Sequence, residues 1–403
     1  MKVLFVNLVY GVGSTGKIIA DIADLLREGG SDVRILYGAG ADSSDADARK
    51  ISGRLEYYAH NALSRLTDHA GLYSRTATQK LIHEVKSFRP DLIHLHTLHG
   101  FYMNYEMLFR FLKGSGIPVV WTLHDCWSFT GHCTHFSQIK CTQWQTECQS
   151  CQLLRRYPHC YGKGDVRRNF LRKKDAFTGV KNLVITTPSQ WLAGQVSRSF
   201  LRNYPRTVIP NGIDRTIFRP QASDLREKYH LERKKIILGV ASTWSAQKGL
   251  PDLLALADRL CADYQVVLIG LTSKQLSHIP PNVLALPRTA DQTELAQWYT
   301  TANVFANPTY EDTFPTVDME AQACGTPVVV YETGGCPETL VSEDSVLVAQ
   351  GDLDGLECAV RDIIRRGTRV APFKTERFDK SCTYREYIRL YEYMCGSAFQ
   401  REK

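Results

Sequence analysis

The chain lacks any apolar run approaching the ~20 residues that a membrane-spanning helix needs, so no spanning segment is expected. Residues 1–10 look like a secretory leader, but they carry one positive charge, Asn7 interrupts the apolar run and no small-x-small cleavage site follows. They read instead as a first buried strand. No Asp-x-Asp string is read as a metal motif, and no catalytic divalent metal is expected. No recognised nucleic-acid motif accompanies the basic residues, which sets nucleic acid aside as a partner. No internal repeat is evident. A P-loop is discounted, and a P-loop ATPase kept only as a weaker third reading, because Ile18 stands where a magnesium-binding Ser or Thr belongs; a dinucleotide fold is discounted because Tyr37-Gly-Ala-Gly-Ala replaces an acid after the second strand.

What is present fits a globular protein of ordinary composition. The 403 residues are 43% hydrophobic and 23% charged, enough for two domains that each bury a core. The net charge of +7, from 49 Lys and Arg against 42 Asp and Glu, suits anionic ligands or an anionic membrane surface. Much of it is local: residues 155–174 hold Arg155, Arg156, Lys163, Arg167, Arg168, Arg172, Lys173 and Lys174 against one acid, Asp165. This run reads either as a solvated helix face or as a patch for phospholipid headgroups or a lipid-diphosphate acceptor, with Val166, Phe170 and Phe177 adding apolar contacts. Six of twelve cysteines fall between Cys126 and Cys160, and Cys133, Cys141, Cys148 and Cys151 form a C-x7-C-x6-C-x2-C set. The set could bind structural zinc, form disulfides or stay reduced.

Along the first half, strands at 3–8, 33–37, 92–96, 119–123 and 182–187 alternate with helices at 16–28, 77–88 and 107–113, and Ser189 opens another helix. This is the pattern of a doubly wound parallel α/β sheet. A Cys-, His- and Trp-rich stretch, 125–164, is too long for a routine connection and reads as an insertion. The turn chemistry of Val208-Ile-Pro-Asn-Gly-Ile-Asp214 suits a boundary. A second alternation follows, with strands at 236–240 and 265–269 and helices at 250–261 and 293–301. The expected division is 1–209, 210–379 and a last helical segment, 380–403, carrying Tyr384, Tyr387 and Tyr391.

The most informative stretch is Tyr310-Glu-Asp-Thr-Phe-Pro-Thr-Val-Asp-Met-Glu320-Ala-Gln-Ala-Cys-Gly-Thr-Pro327. It puts Asp312 and Glu320 on either side of a strand-to-helix turn, with Pro315 at the first helical position and Gly325 ending the helix before a strand at 328–331. A helix N-terminus at the end of a parallel strand is a ready anion site, and an acid a turn and a half inside could accept bonds from sugar hydroxyls. That combination points to a nucleotide sugar. Other candidates sit at strand ends: Gly13 and Gly16 in Gly11-Val-Gly13-Ser-Thr-Gly16, His124 in Thr122-Leu-His124-Asp125, and Lys248 in Ala241-Ser-Thr-Trp244-Ser-Ala-Gln-Lys248-Gly249.

Asp312-x7-Glu320 resembles the Glu-x7-Glu region of retaining glycosyltransferase family 4, which has the GT-B fold of two Rossmann-like domains facing a cleft. The first acid is Asp here, with Glu311 beside it, and either could serve. Ile-Pro-Asn-Gly-Ile-Asp214, Thr333-Gly-Gly335 and the glycine loop also match, whereas Thr243 stands where the family commonly has Arg. Trp121-Thr-Leu-His-Asp-Cys-Trp127 and the cysteines after it are similar to the colanic acid biosynthesis subgroup.

The resemblance implies that the second domain binds the donor through Glu311, Asp312, Thr313, Phe314, Pro315, Thr316, Glu320 and Lys248, with Gly13 and Gly16 near the donor phosphates or acceptor. It implies that Lys248, His124 and Asp312 serve catalysis, Lys248 balancing the diphosphate, and that the last helix crosses back to the first domain. It also implies transfer of a sugar from a nucleotide-diphosphate sugar to a glycan or lipid-diphosphate-linked acceptor in bacterial surface polysaccharide synthesis, in the cytoplasm or on the inner membrane face, with no cofactor required. Base recognition is expected near Leu286-Pro-Arg288-Thr289. The rival reading is a non-catalytic sugar- or nucleotide-binding protein, or a zinc-stabilised interaction module.

Overall fold

The computed structural model describes residues 1–396. The chain divides into two compact units, one formed by Met1–Pro210 together with the segment from Tyr384 onward, the other by Asn211–Thr383.

The first unit is built on a seven-stranded parallel sheet. Its strands are β1 (Lys2–Asn7), β2 (Asp32–Tyr37), β3 (Ala48–Lys50), β4 (Leu92–Leu95), β5 (Val119–Thr122), β6 (Leu183–Thr187) and β7 (Arg206–Val208), in the order β3-β2-β1-β4-β5-β6-β7. The central strands are mostly apolar because helices cover both faces; every residue of β4, β5 and β6 is buried, the polar His94, Thr122, Thr186 and Thr187 included. Val3 of β1 pairs with Val33 on one side and Leu92 on the other. The chain therefore winds away from β1 in both directions, and the crevice between β1 and β4 is the switch point where such sheets take ligands. Asn7 ties that crevice together: its amide donates to Val9 O at 2.7 Å and its carbonyl accepts from Thr97 N at 3.1 Å. The helices are α1 (Gly13–Glu28), α2 (Arg54–Thr67), α3 (Arg75–Phe88), α4 (Tyr105–Ser115), α5 (Val166–Phe177) and α6 (Gln190–Arg198). Asn104 and Ser189 cap α4 and α6 by accepting from Met107 N and Leu192 N.

The second unit repeats the architecture with six strands: β8 (Lys235–Val240), β9 (Tyr264–Ile269), β10 (Val283–Leu286), β11 (Val304–Asn307), β12 (Val328–Tyr331) and β13 (Val346–Val348), in the order β10-β9-β8-β11-β12-β13. Its switch point lies between β8 and β11. The helices are α7 (Leu225–Lys228), α8 (Leu250–Arg259), α9 (Ser273–Leu276), α10 (Gln292–Thr301), α11 (Thr316–Ala323) and α12 (Leu353–Arg366). The last helix, α13 (Lys380–Cys395), places Tyr384, Tyr387, Tyr391 and Met394 on one stripe. All four are buried with Phe5, Ile35 and Val120 in the core of the first unit. Of the expected segment 380–403, residues 397–403 lie outside the described residues.

Two sequence expectations change here. The basic run 155–174 does not form an interfacial helix with Val166, Phe170 and Phe177 turned to a bilayer, because those three side chains are at most 6% exposed and pack in the core. Lys173 also goes inward. Its Nζ donates to Trp127 O at 2.8 Å and Thr130 O at 3.1 Å and lies 3.6 Å from the Trp127 ring centre, and burial pushes its amine down to about 7. The Asp-x-Asp string, passed over in the sequence, occurs twice and is committed to structure both times. Asp45 and Asp47 receive Arg27 at 2.8 and 3.3 Å, while Asp352 caps α12 and Asp354 pairs with Arg259 at 2.5 Å.

The cysteine-rich stretch is core rather than appendage. Phe129, Phe136, Trp144, Leu153, Cys133 and Cys148 join Trp121 and Phe177 in one cluster. All twelve cysteines are thiols. Cys133 hydrogen-bonds to Cys151, and that bond pulls the Cys151 thiol down while raising that of Cys133; Gly131 N and Leu153 N donate to the sulfurs of Cys148 and Cys151. Among the described residues no group of three or more His, Cys, Asp or Glu side chains has the geometry to hold a metal ion.

Because α13 docks through fully buried tyrosines, Tyr391→Ala is expected to cost the first unit about 3–5 kcal/mol, the usual range for truncating a buried aromatic. Urea unfolding reads this as a lower midpoint for that unit's transition, and an unchanged midpoint would show that the helix contributes no packing.

Candidate functional site

In the second unit the chemistry gathers at the carboxyl ends of β8 and β11. After β8 the chain turns through Ser242 and Thr243, both exposed, and drops Trp244 into the core, where its Nε1 donates to Ile269 O at 2.9 Å. A short helical turn, Ala246–Lys248, then presents Lys248. After β11 the loop 308–315 runs beside it. Tyr310 N and Thr309 Oγ1 both donate to Gln247 O, at 2.8 and 3.1 Å, so the two loops are zipped. A third segment closes on them: Gly335 N donates to Asp312 O at 3.2 Å, and a Cβ on Gly334, at φ +54°, would lie 1.7 Å from that carbonyl. Only glycine fits there.

This frame brings Lys248 Nζ to 2.6 Å from Asp312 Oδ2 and 3.5 Å from Glu311 O. Burial works against the Lys248 charge, but the Asp312 carboxylate outweighs it and holds the amine above its ordinary value, so the lysine is cationic at neutral pH. Asp312 Oδ1 accepts from Phe314 N at 3.2 Å. Glu311 is 7% exposed, so the adjacent acids differ: Asp312 makes the ion pair, while Glu311 lies deeper. Thr313 and Phe314 are buried, Phe314 packing edge-on against Phe378 with ring centres 5.9 Å apart. Pro315 sits one residue earlier than its sequence position implied. It is the N-cap of α11, with extended ψ of 119°, and Thr316 takes the first helical place. The missing Pro N–H is harmless at either position, and the next amides of α11 have no acceptor within their own helix.

Glu320 is half-buried on α11 and accepts from the buried Tyr299 hydroxyl of α10 at 3.1 Å. Two supporting residues escaped the sequence reading. One is Tyr299. The other is Asp318, fully buried, accepting from Asn307 Nδ2 at 2.7 Å and Thr339 Oγ1 at 3.1 Å. Burial raises the Asp318 carboxyl to about 8, with the nearby Asp312 charge adding to it. The stretch expected to meet a base leaves β10 at Leu286, and Arg288 Nη2 donates to Ser242 O at 3.0 Å, which sets it beside the β8 loop.

In the first unit, His124 follows β5 at the sheet edge. It is stacked on His96 with ring centres 5.2 Å apart, His124 Nε2 lying 2.9 Å from His96 Nδ1. The contacts continue from His96 Nε2 to His94 Nδ1 at 3.3 Å, which also meets Tyr391 Oη at 2.6 Å, while His94 Nε2 meets Thr122 Oγ1 at 2.7 Å. Burial pushes His124 down to about 4, so it is neutral at neutral pH despite Asp125 beside it. His94 Nδ1 has one lone pair, so the Tyr391 hydroxyl at 2.6 Å is its main donor and the 3.3 Å contact to His96 is the weaker one. Asp125 pairs with His99 at 2.7 Å, a residue the sequence reading did not single out. Gly13, at φ +65°, begins α1 on an exposed turn with no side-chain cap. Gly16 is buried, and a Cβ there would press on Gly11 N at 3.2 Å, so its visible role is packing.

Two doubly wound units of this kind make up the GT-B fold. Solved structures share it across nearly the whole chain. A sucrose-phosphate synthase from Thermosynechococcus elongatus superposes with a TM-score of 0.72 at 16% identity, covering 97% of this chain and 98% of that one. The Anabaena protein HepE, crystallised with UDP-glucose, gives 0.66 at 19% identity, covering 97% and 99%. The family model for Glycosyltransferase Family 4 matches residues 15–216, and that for Glycosyl transferases group 1 matches residues 234–366. The chain belongs to glycosyltransferase family 4. A relative from Escherichia coli K12, named for colanic acid biosynthesis glycosyl transferase WcaC, is 24% identical over 374 residues, 86% of this chain and 89% of its own length.

Asp318 supplies a pH prediction. Between the ordinary carboxylate range and pH about 8 the folded chain keeps this proton and the unfolded chain has released it. Its contribution is therefore fully present at low pH and is lost as pH rises through about 8. Asp318→Asn keeps an acceptor for Asn307 Nδ2 and puts a donor toward Thr339 Oγ1, which can accept because its own proton reaches Cys336 O at 2.7 Å; lacking the ionisation, its Tm should fall less across that window than that of the wild type. Parallel Tm curves would show that Asp318 ionises as easily in the fold as in the open chain.

Proposed function

We propose that this glycosyltransferase is a retaining enzyme that takes a sugar from a nucleotide-diphosphate donor held in the second unit. The observation that carries the reading is the Lys248–Asp312 pair, 2.6 Å across, at the switch-point edge beside the N-terminus of α11. A diphosphate there meets a charged amine and a set of helix-end amides, which stabilise negative charge as it develops on the leaving group. Asp312 holds Lys248 in place and keeps a carboxylate available for a sugar hydroxyl. Glu320, steadied by Tyr299, accepts from ribose hydroxyls. His124, neutral beside His96, serves through hydrogen bonding to a sugar hydroxyl rather than as a cation. No residue is asked to bring a metal ion.

The UDP-glucose in the related Anabaena structure supports a nucleotide-sugar donor. The likeness to the colanic acid relative supports an acceptor that is a glycan or a lipid-diphosphate-linked glycan in bacterial surface polysaccharide synthesis, with the enzyme on the cytoplasmic side.

The test is release of nucleoside diphosphate across a donor panel. Lys248→Ala should lower kcat by about 10²–10³, the range for losing one charge-stabilising group. Glu320→Ala should weaken donor binding by roughly 1.5–3 kcal/mol, as for a hydrogen bond to a charged acceptor. Wild-type turnover and affinity in both folded variants would place the donor elsewhere. Binding of donor by the wild type without any release would favour the non-catalytic binding protein. Proton NMR of the product decides the stereochemistry, and an inverted anomer would contradict retention.

A further inference from the structure

Helix α2 is built inside out. Its buried side chains are His60 and Ser64, both polar. His60 Nδ1 meets Ser74 Oγ at 2.7 Å and its Nε2 accepts from Gly71 N at 3.1 Å, so the ring is a neutral structural peg. The outward face carries the apolar residues: Leu55 is 86% exposed, Leu66 66%, Tyr58 57% and Leu63 43%, with Ala59 and Ala62 exposed between them. Positions 55, 58, 59, 62, 63 and 66 form one stripe along a helix. An amphipathic helix in a globular unit normally turns such a stripe to the core, so a contiguous outward stripe marks a surface that meets something apolar.

The charges around the stripe have one sign. Arg54 sits 5.9 Å from the Tyr58 ring centre. At the other end the segment after Cys160 packs on the helix terminus, Tyr161 N donating to Arg65 O at 2.7 Å. Arg65 and Arg155 both lie over the Tyr161 ring, at 5.9 and 5.2 Å, and Lys163 follows on an exposed turn. The lone acid of α2, Glu56, is turned away, its Oε1 accepting from Ala77 N at 3.2 Å. Nearby Asp68 is buried on His132, and Asp165 is paired with His69 at 2.7 Å.

We propose that the outward face of α2, rimmed by Arg54, Arg65, Arg155 and Lys163, docks on an anionic phospholipid bilayer. Leucines that enter the headgroup boundary, tyrosines at its level and cations against lipid phosphates are the three elements of an interfacial helix. A second copy of this chain fits less well, because a two-fold contact through this stripe sets the same cations against one another. The proposal stands independently of the donor site, since vesicle binding is measured without a nucleotide sugar.

The experiment is co-sedimentation of the full chain with vesicles of phosphatidylcholine alone and of equal parts phosphatidylcholine and phosphatidylglycerol, at low and high salt. Wild type should sediment with the mixed vesicles, less so as salt rises because screening shortens the attraction, and not with phosphatidylcholine alone. Leu55→Asp with Leu66→Asp should cut the partition coefficient by about tenfold or more, the equivalent of losing burial of one or two leucines. Arg155→Glu with Lys163→Glu should weaken binding and flatten its salt dependence. Unchanged Tm in each variant establishes that the fold is intact. Wild-type binding in the folded double-leucine variant would overturn the proposal, as would failure of the wild type to bind the mixed vesicles. So would a wild-type dimer in solution that the leucine variant converts to monomer, since the stripe would then belong to a self-interface.

Discussion

Lys248 and Asp312 meet at 2.6 Å only because three backbone segments are locked together around them. Gln247 O takes hydrogen bonds from Thr309 and Tyr310, and the bare Cα of Gly334 lets the post-β12 turn close on Asp312 O. The pair itself stabilises little. Its side chains are 37% and 20% exposed, and half-solvated ion pairs contribute about 0–1 kcal/mol. Its worth lies in placing a cation and a carboxylate where β8 and β11 diverge. The direction of α11 follows from the same loop, and Glu320 and the buried Asp318 follow from α11. The site is thus a consequence of loop closure at a switch point, and the chemistry is carried by side chains that the closure aims.

The first unit shows the complementary economy. Its crevice holds neutral polar groups rather than ions: His124, His96 and His94 in a row, with Tyr391 of α13 at the far end. Burial keeps these rings uncharged, so the row works through hydrogen-bond direction rather than through field. The neighbouring cysteine-rich stretch supports this edge by filling the space beneath it with Trp127, Phe129 and Trp144. A segment with little regular secondary structure thereby becomes core, and the cation of Lys173 is accommodated by two carbonyls and an indole face.

Much of this architecture is legible in the chain because parallel strands buried on both faces are apolar runs. The strand expected at 328–331 is found as Val328–Tyr331, and the helix expected at 77–88 begins two residues earlier as Arg75–Phe88. The acidic pair and the turn before α11 are readable from spacing, and Lys248 from the family resemblance. What is not readable depends on tertiary contact. Asn7 looks like an interruption of a strand until Val9 and Thr97 are seen bound to it. Asp318 looks like any acid in a first helical turn until burial reaches it. Helix α2 is hard to place from the sequence, because its apolar stripe faces outward and its core side is polar. Charge together with Val166, Phe170 and Phe177 suggests a surface role for the run 155–174, whereas those three side chains and Lys173 pack into the core. Periodicity locates a helix but does not say which face the fold will bury.

The most direct measurement is a crystal structure with the nucleoside diphosphate that a donor screen selects. The account predicts a diphosphate within hydrogen-bond distance of Lys248 Nζ and of the first amides of α11, with ribose hydroxyls on the Glu320 carboxylate. A diphosphate bound away from Lys248, with the Lys248–Asp312 pair undisturbed and Glu320 facing only Tyr299, would contradict it.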